Sequence, residues 1–100
     1  MGRKVIISKT AEKRLNDLFK YLLENWSQKV KSDFIKKLDN KIILLKKHPE
    51  GFPESEKEKG LRKCVITKQT TMFYRFNSRQ IKIITFFDTR QNPKKLKKDL

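Results

Sequence analysis

Ile81–Pro93, IKIITFFDTRQNP, sets the reading of the chain: an apolar run rich in β-branched and aromatic residues empties into a polar knot holding Asp88, Arg90 and Asn92. Ile81 to Phe87 reads as a strand, and a cation at the end of a strand is held more rigidly than one on a loop. Two similar runs precede it, Leu61 to Lys68 and Thr71 to Asn77, parted by the short polar breaks Gln69-Thr70 and Ser78 to Gln80. Breaks that short join antiparallel neighbours, so the three runs form a meander. Before them His48 to Gly60, HPEGFPESEKEKG, carries Gly, Pro and the acidic Glu50, Glu54, Glu56 and Glu58, the composition of a loop.

The first half has a different period. Lys4 to Ile7 is a short β-branched run, followed by Ser8 and Thr10, either of which can cap a helix. Ala11, Leu15, Leu18 and Leu22 then recur at steps of three and four, with Phe19, Leu23 and Trp26 widening the stripe; this predicts an amphipathic helix with Trp26 in its core. Ser27 can cap a second helix, whose Val30, Phe34, Leu38, Ile42 and Leu45 keep the period until Pro49 forbids continuation. Helices joined by almost no loop fold back antiparallel. The tail Lys94 to Leu100, KKLKKDL, is too poor in apolar residues to hold itself down and reads as a frayed helical turn or a disordered basic end.

One hundred residues make one domain, spanning 1–100, and the chain is 36% hydrophobic against 37% charged. Twenty-six Lys and Arg face eleven Asp and Glu, a net charge of +15, so an anionic partner is expected: nucleic acid or an acidic protein before a membrane. No apolar run approaches the roughly 20 residues that span a bilayer, and MGRKVIIS is too short for a signal-peptide core, which points to the cytoplasm. The single cysteine, Cys64, excludes an internal disulfide and offers no metal cluster; no cofactor is expected.

The expected architecture is α+β: a short N-terminal strand and an antiparallel helical hairpin, packed on an antiparallel sheet that a C-terminal three-stranded meander completes. Ser8, Ala11, Leu15, Leu18, Tyr21 and Trp26, then His48-Pro49, Gly60-Leu61-Arg62 and Phe86 to Pro93 (FFDTRQNP) resemble the RelE/ParE toxin superfamily, along about the whole chain. The resemblance implies the toxin of a two-gene toxin-antitoxin module, a plasmid stabilisation protein neutralised by a small acidic antitoxin. It leaves two targets: the ribosome with its messenger RNA, cut by RelE-like members, and DNA gyrase, poisoned through binding by ParE-like ones.

Cleaving RNA through its own 2′-OH needs a base, an acid and cations for the phosphate. Arg62 matches an arginine widely shared in the superfamily and Arg90 lies near its cationic position after the last strand, and either can grip a phosphate bidentately. Each is equally read as a solvated arginine or one paired with a carboxylate such as Asp88. The ribonuclease branch places a Tyr or His soon after the last strand, and Gln91 to Leu96 contain neither. Tyr74 is a substitute but alternates with Met72 and Phe76 as a core residue would, and His48 beside Pro49 suits a helix end better than a catalytic role. The resemblance is therefore nearer the ParE side, with Arg62, Arg75, Arg79, Arg90, Lys94, Lys95, Lys97 and Lys98 as candidate anion and partner contacts. A basic nucleic-acid-binding domain without toxicity is the remaining class, although the chain shows no helix-turn-helix spacing, zinc ligands or RNP-type motif.

Overall fold

The computed structural model describes residues 3–89 and 99–100. Its elements run β1 (Lys4–Ile7), α1 (Lys9–Asn25), α2 (Gln28–Lys47), a short 3-10 turn (Pro49–Gly51), β2 (Arg62–Val65), β3 (Thr70–Phe76) and β4 (Gln80–Asp88). The expected α+β class and element order stand.

Local chemistry sets the helix boundaries. Ser8, not Thr10, caps α1: its Oγ accepts from the Ala11 amide at 3.0 Å and donates to the Ile84 carbonyl at 2.7 Å, tying the strand-to-helix junction to β4. The Ser27 hydroxyl accepts from the Val30 amide and starts α2 immediately after α1 stops. Trp26 is the residue caught between. Its φ of −131° and ψ of −106° leave the helix, and it is 63% exposed, so the expectation of a core tryptophan fails. The apolar stripe was projected one residue past the point where the backbone stops being helical.

The sheet runs β1-β4-β3-β2. The meander is antiparallel as expected, but β1 joins β4 in parallel, Lys4 beside Gln80 through Ile7 beside Ile83, which makes the whole sheet mixed. The β3–β4 register shifts between Phe73 and Tyr74, a bulge-type irregularity that re-aims side chains along β4. One face, through Cys64, Met72, Tyr74, Ile81, Ile83 and Phe86, packs on Ala11, Leu18, Leu22, Phe34, Leu38 and Leu45 of the hairpin. Phe73 alternates with Met72 and Tyr74 and so points the other way, into a smaller cluster with Leu61 that Ile84, Phe87 and Leu100 flank.

β2 is shorter than its β-branched run because Ile66 to Gln69 form the turn into β3, with the Thr67 and Thr70 backbones bonded to each other and Thr67 Oγ1 accepting from the Thr70 amide. The acidic loop is fastened to the outer edge of β2: the Ser55 amide donates to Leu61 O and the Lys63 amide to Pro53 O. Gly60, at φ +79°, closes it. A Cβ there would be strained by the backbone and would lie 3.0 Å from an Arg75 nitrogen. The described end of the tail, 99–100, is docked on the fold. Asp99 receives Arg14 through two 2.8 Å bonds and Thr85 through one of 2.9 Å, while Leu100 packs by the smaller cluster. No helix among the described residues is long and apolar enough to cross a membrane.

Candidate functional site

Arg62 opens β2 directly opposite Tyr74 of β3, on the face that carries the helices. Its NH1 donates to Phe52 O at 2.6 Å and Glu50 O at 3.2 Å, and its guanidinium carbon lies 5.4 Å from the centroid of the Phe76 ring. Tyr74 is fully buried and donates its hydroxyl to Pro49 O at 2.6 Å. Together the two side chains hold the carbonyls of Pro49, Glu50 and Phe52, the turn that follows α2. Phe52, Tyr74 and Phe76 form an aromatic ladder with centroids 6.3 and 6.4 Å apart.

Burial pushes the Tyr74 phenol well above the ordinary tyrosine value; the nearby Arg62 charge opposes the shift and loses. A phenol in that state keeps its proton near neutrality. His48 does bind the end of α2, but through its backbone amide, which donates to Leu44 O; the imidazole stays exposed and makes no hydrogen bond to Arg62 or Tyr74. The buried Asp88 accepts from the Thr70 hydroxyl at 3.1 Å, and the expected pairing of Arg90 with it lies outside the described residues.

Among the described residues, Arg62 and Arg75 lie on opposite faces of the sheet. Arg75 faces away from Arg62, since it alternates with Tyr74 and Phe76, and it is engaged by Lys59 O and by Glu58 at 2.8 Å. Arg90, Lys94 and Lys95, with Lys97 and Lys98, lie outside the described residues. Arg3 is the cation that the sequence reading missed. Its Nε donates to Asn77 O at 2.7 Å and its guanidinium carbon lies 5.4 Å from the same Phe76 ring. Nothing in MGRKVIIS signals this, because the contact needs β1 to be placed beside β4 and the end of β3. No group of three or more potential metal-ligating side chains occurs among the described residues.

A second concave surface lies at the tip of the hairpin, a groove of about 340 Å3 between Leu22, Trp26, Val30, Phe34, Lys37 and the β2–β3 turn. Exposed Trp26 and Val30 make it apolar at the mouth.

A helical hairpin packed on one face of a small mixed sheet frames the Arg62–Tyr74 corner and an apolar groove. The chain belongs to the family of ParE toxins of type II toxin-antitoxin systems (parDE), whose model matches residues 5–93. No curated protein sequence matches it closely enough to count as a relative. Solved structures share the fold at low identity. A chain of the chromosomal ParDE system of P. aeruginosa superposes with a TM-score of 0.72 at 10% identity, covering 86% of this chain and 95% of that one. A chain of the E. coli DinJ-YafQ toxin-antitoxin complex gives 0.62 at 13%, covering 90% and 96%. The YoeB/ParE toxin from Agrobacterium tumefaciens gives 0.60 at 15%, covering 85% and 96%.

Proposed function

We propose that this toxin works by binding DNA gyrase and is held inactive by an acidic antitoxin. The observation that carries the reading is the state of Tyr74. RNA cleavage through the 2′-OH needs a group that accepts a proton near neutral pH. The phenol beside Arg62 is instead buried, committed to Pro49 O and shifted further from neutrality. Arg62 itself has one nitrogen fixed on two backbone carbonyls, so the corner is rigid and suited to contact.

An antitoxin partner is supported by the solved ParDE and DinJ-YafQ systems that share the fold. On this chain the groove beside Trp26 suits an apolar side chain, and the +15 charge suits a partner of opposite sign. Binding to the folded toxin stabilises it by mass action.

The test sets the two targets side by side. Purified protein is expected to inhibit gyrase supercoiling and to leave ribosome-programmed transcripts intact in primer extension. Codon-specific breaks that vanish in Tyr74→Phe or His48→Ala would sink the gyrase reading and install a RelE-like mRNA interferase. Expression should arrest growth, and co-expression of the acidic product of the neighbouring reading frame should relieve it; harmless expression would remove the toxin role.

A further inference from the structure

On the face of the sheet turned away from the hairpin, Arg75 stands directly opposite Lys82 across the β3–β4 ladder, so two cations are immediate neighbours. Lys82 stands opposite Ile6 of β1, and Lys4, two residues before Ile6, points the same way. Lys63, opposite Phe73, brings a further cation to this face from β2. Like charges directly opposite each other destabilise a sheet. The relief comes from outside the strands: Glu58 of the acidic loop reaches Arg75 at 2.8 Å, and the Lys59 carbonyl accepts from the same guanidinium at 3.0 Å. The bridge is 38% exposed on the arginine and 44% on the glutamate, which makes it weak and open to exchange. Beside it Arg75 and Lys82 share a shallow cavity of about 140 Å3 with Phe76, Asn77 and Gln80, which leaves room for further polar atoms next to both cations.

We propose that Arg75 and Lys82 form a seat for side-chain carboxylates of an acidic protein partner, and that Glu58 fills the seat until the partner arrives. The chain itself shows the chemistry of the occupant, since what Arg75 holds is a carboxylate on a side chain. The loop that offers it is fixed close by, where the Gly60 amide donates to the Glu54 carboxylate at 3.1 Å. Lys82 and Lys4, both exposed, extend the positive surface toward β1, so a segment with successive acidic residues gains contacts that Glu58 alone does not make. Tethering gives Glu58 a high effective concentration at Arg75, so a lone carboxylate displaces it poorly and a run of them displaces it well. The seat thereby selects strongly acidic segments. The inference rests on the reading of the chain as a toxin held by an acidic antitoxin, and it gives that partner a face of the sheet, the one opposite the Arg62–Tyr74 corner.

The experiment is fluorescence anisotropy of the full chain with a fluorescein-labelled hexaglutamate peptide, with labelled single-stranded dT12 as a second probe. Lys82→Ala is expected to weaken hexaglutamate binding about fivefold at an unchanged melting temperature. Lys36→Ala, which removes the same charge from the exposed side of α2, should weaken it less than about twofold. Glu58→Gln should tighten binding about fourfold, and Glu24→Gln, the same change of charge on the helical side of the sheet, less than about twofold. In an Arg75→Ala background the gain from Glu58→Gln should vanish, because the bridge is already broken. If Lys82→Ala behaved like Lys36→Ala, or the Glu58→Gln gain persisted without Arg75, the seat would not exist. If Lys82→Ala weakened dT12 more than hexaglutamate, the face would take phosphates and the carboxylate assignment would be wrong. Growth assays separate the seat from the toxin reading. Relief of an Arg75→Ala/Lys82→Ala chain by the neighbouring product as complete as that of the parent would place the antitoxin elsewhere and overturn the proposal. A parent chain that arrested no growth would remove the toxin role and leave the peptide measurement to decide the seat.

Discussion

The corner at the end of β3 and the region where Asp99 docks both depend on arginine, and they use it in opposite ways. Arg14 reaches from α1 to Asp99, with side-chain exposures of only 15% and 7%, and Thr85 donates to the same carboxylate. Its charge is cancelled inside the fold. Arg3 and Arg62 are aimed just as firmly, by backbone carbonyls and a ring, but their charge is left standing. A neutralised arginine acts as a staple, whereas an aimed but un-neutralised one retains a field outside the protein.

The largest effect should come from breaking the staple. Asp99→Ala removes the carboxylate that Arg14 and Thr85 share and leaves Arg14 only the weaker influence of Asp17, at a cost of about 2 kcal/mol, which for a domain this size lowers the melting temperature by roughly 10 °C. A loss below about 1 kcal/mol would show that the contact is not closed in solution, and the contrast between the two regions would collapse.

Tyr74→Phe comes next. It strips Pro49 O of its buried donor and should cost about 2 kcal/mol by thermal or urea unfolding. It also sharpens the comparison through pH. Burial raises the Tyr74 and Cys64 pKa values, the second against the opposing charge of Lys41. Above the ordinary values of about 8.5 for Cys and 10 for Tyr, the unfolded chain has released protons that the folded chain still holds. Stability is therefore whole below about pH 8.5 and falls as pH rises. Tyr74→Phe should flatten the fall above about pH 10; an unchanged alkaline slope would mean that the phenol ionises freely in the fold.

Arg62→Ala is expected to sit between the two roles, losing about 1.5 kcal/mol because the Phe52 and Glu50 carbonyls lose a charged donor, and losing growth arrest as well. Unchanged stability would make Arg62 purely a recognition residue. Full toxicity at reduced stability would make it purely structural. The smallest change belongs to Glu58→Ala, whose bridge to Arg75 is 38% and 44% exposed. It should move stability by less than about 0.5 kcal/mol.

Much of the fold was legible in the chain. The stripe from Ala11 to Leu22 and that from Phe34 to Leu45 place buried residues where the helical period puts them, and the three apolar runs from Leu61 onward became the meander. Trp26 was misread because periodicity carries no information about where a backbone leaves the helix. Arg62 and Tyr74 stood separately among the candidates, and their bonds to three carbonyls of the turn after α2 had no trace in spacing. Arg3 and Asp99 were missed for one reason: each acts across more than 70 residues of sequence, to Asn77 and to Arg14.

The sequence by itself determined the two periods, the cap at Ser27, a choice of Ser8 or Thr10 for the first helix, the stop at Pro49 and the excess of positive charge, all consequences of neighbours within a few residues or of plain composition. Tertiary structure alone decided which arginines are cancelled and which stay charged. That outcome depends on the parallel docking of β1 on β4, the register of β2 on β3 and the return of Asp99 to α1, and the pairing of distant segments leaves no periodic mark on a chain.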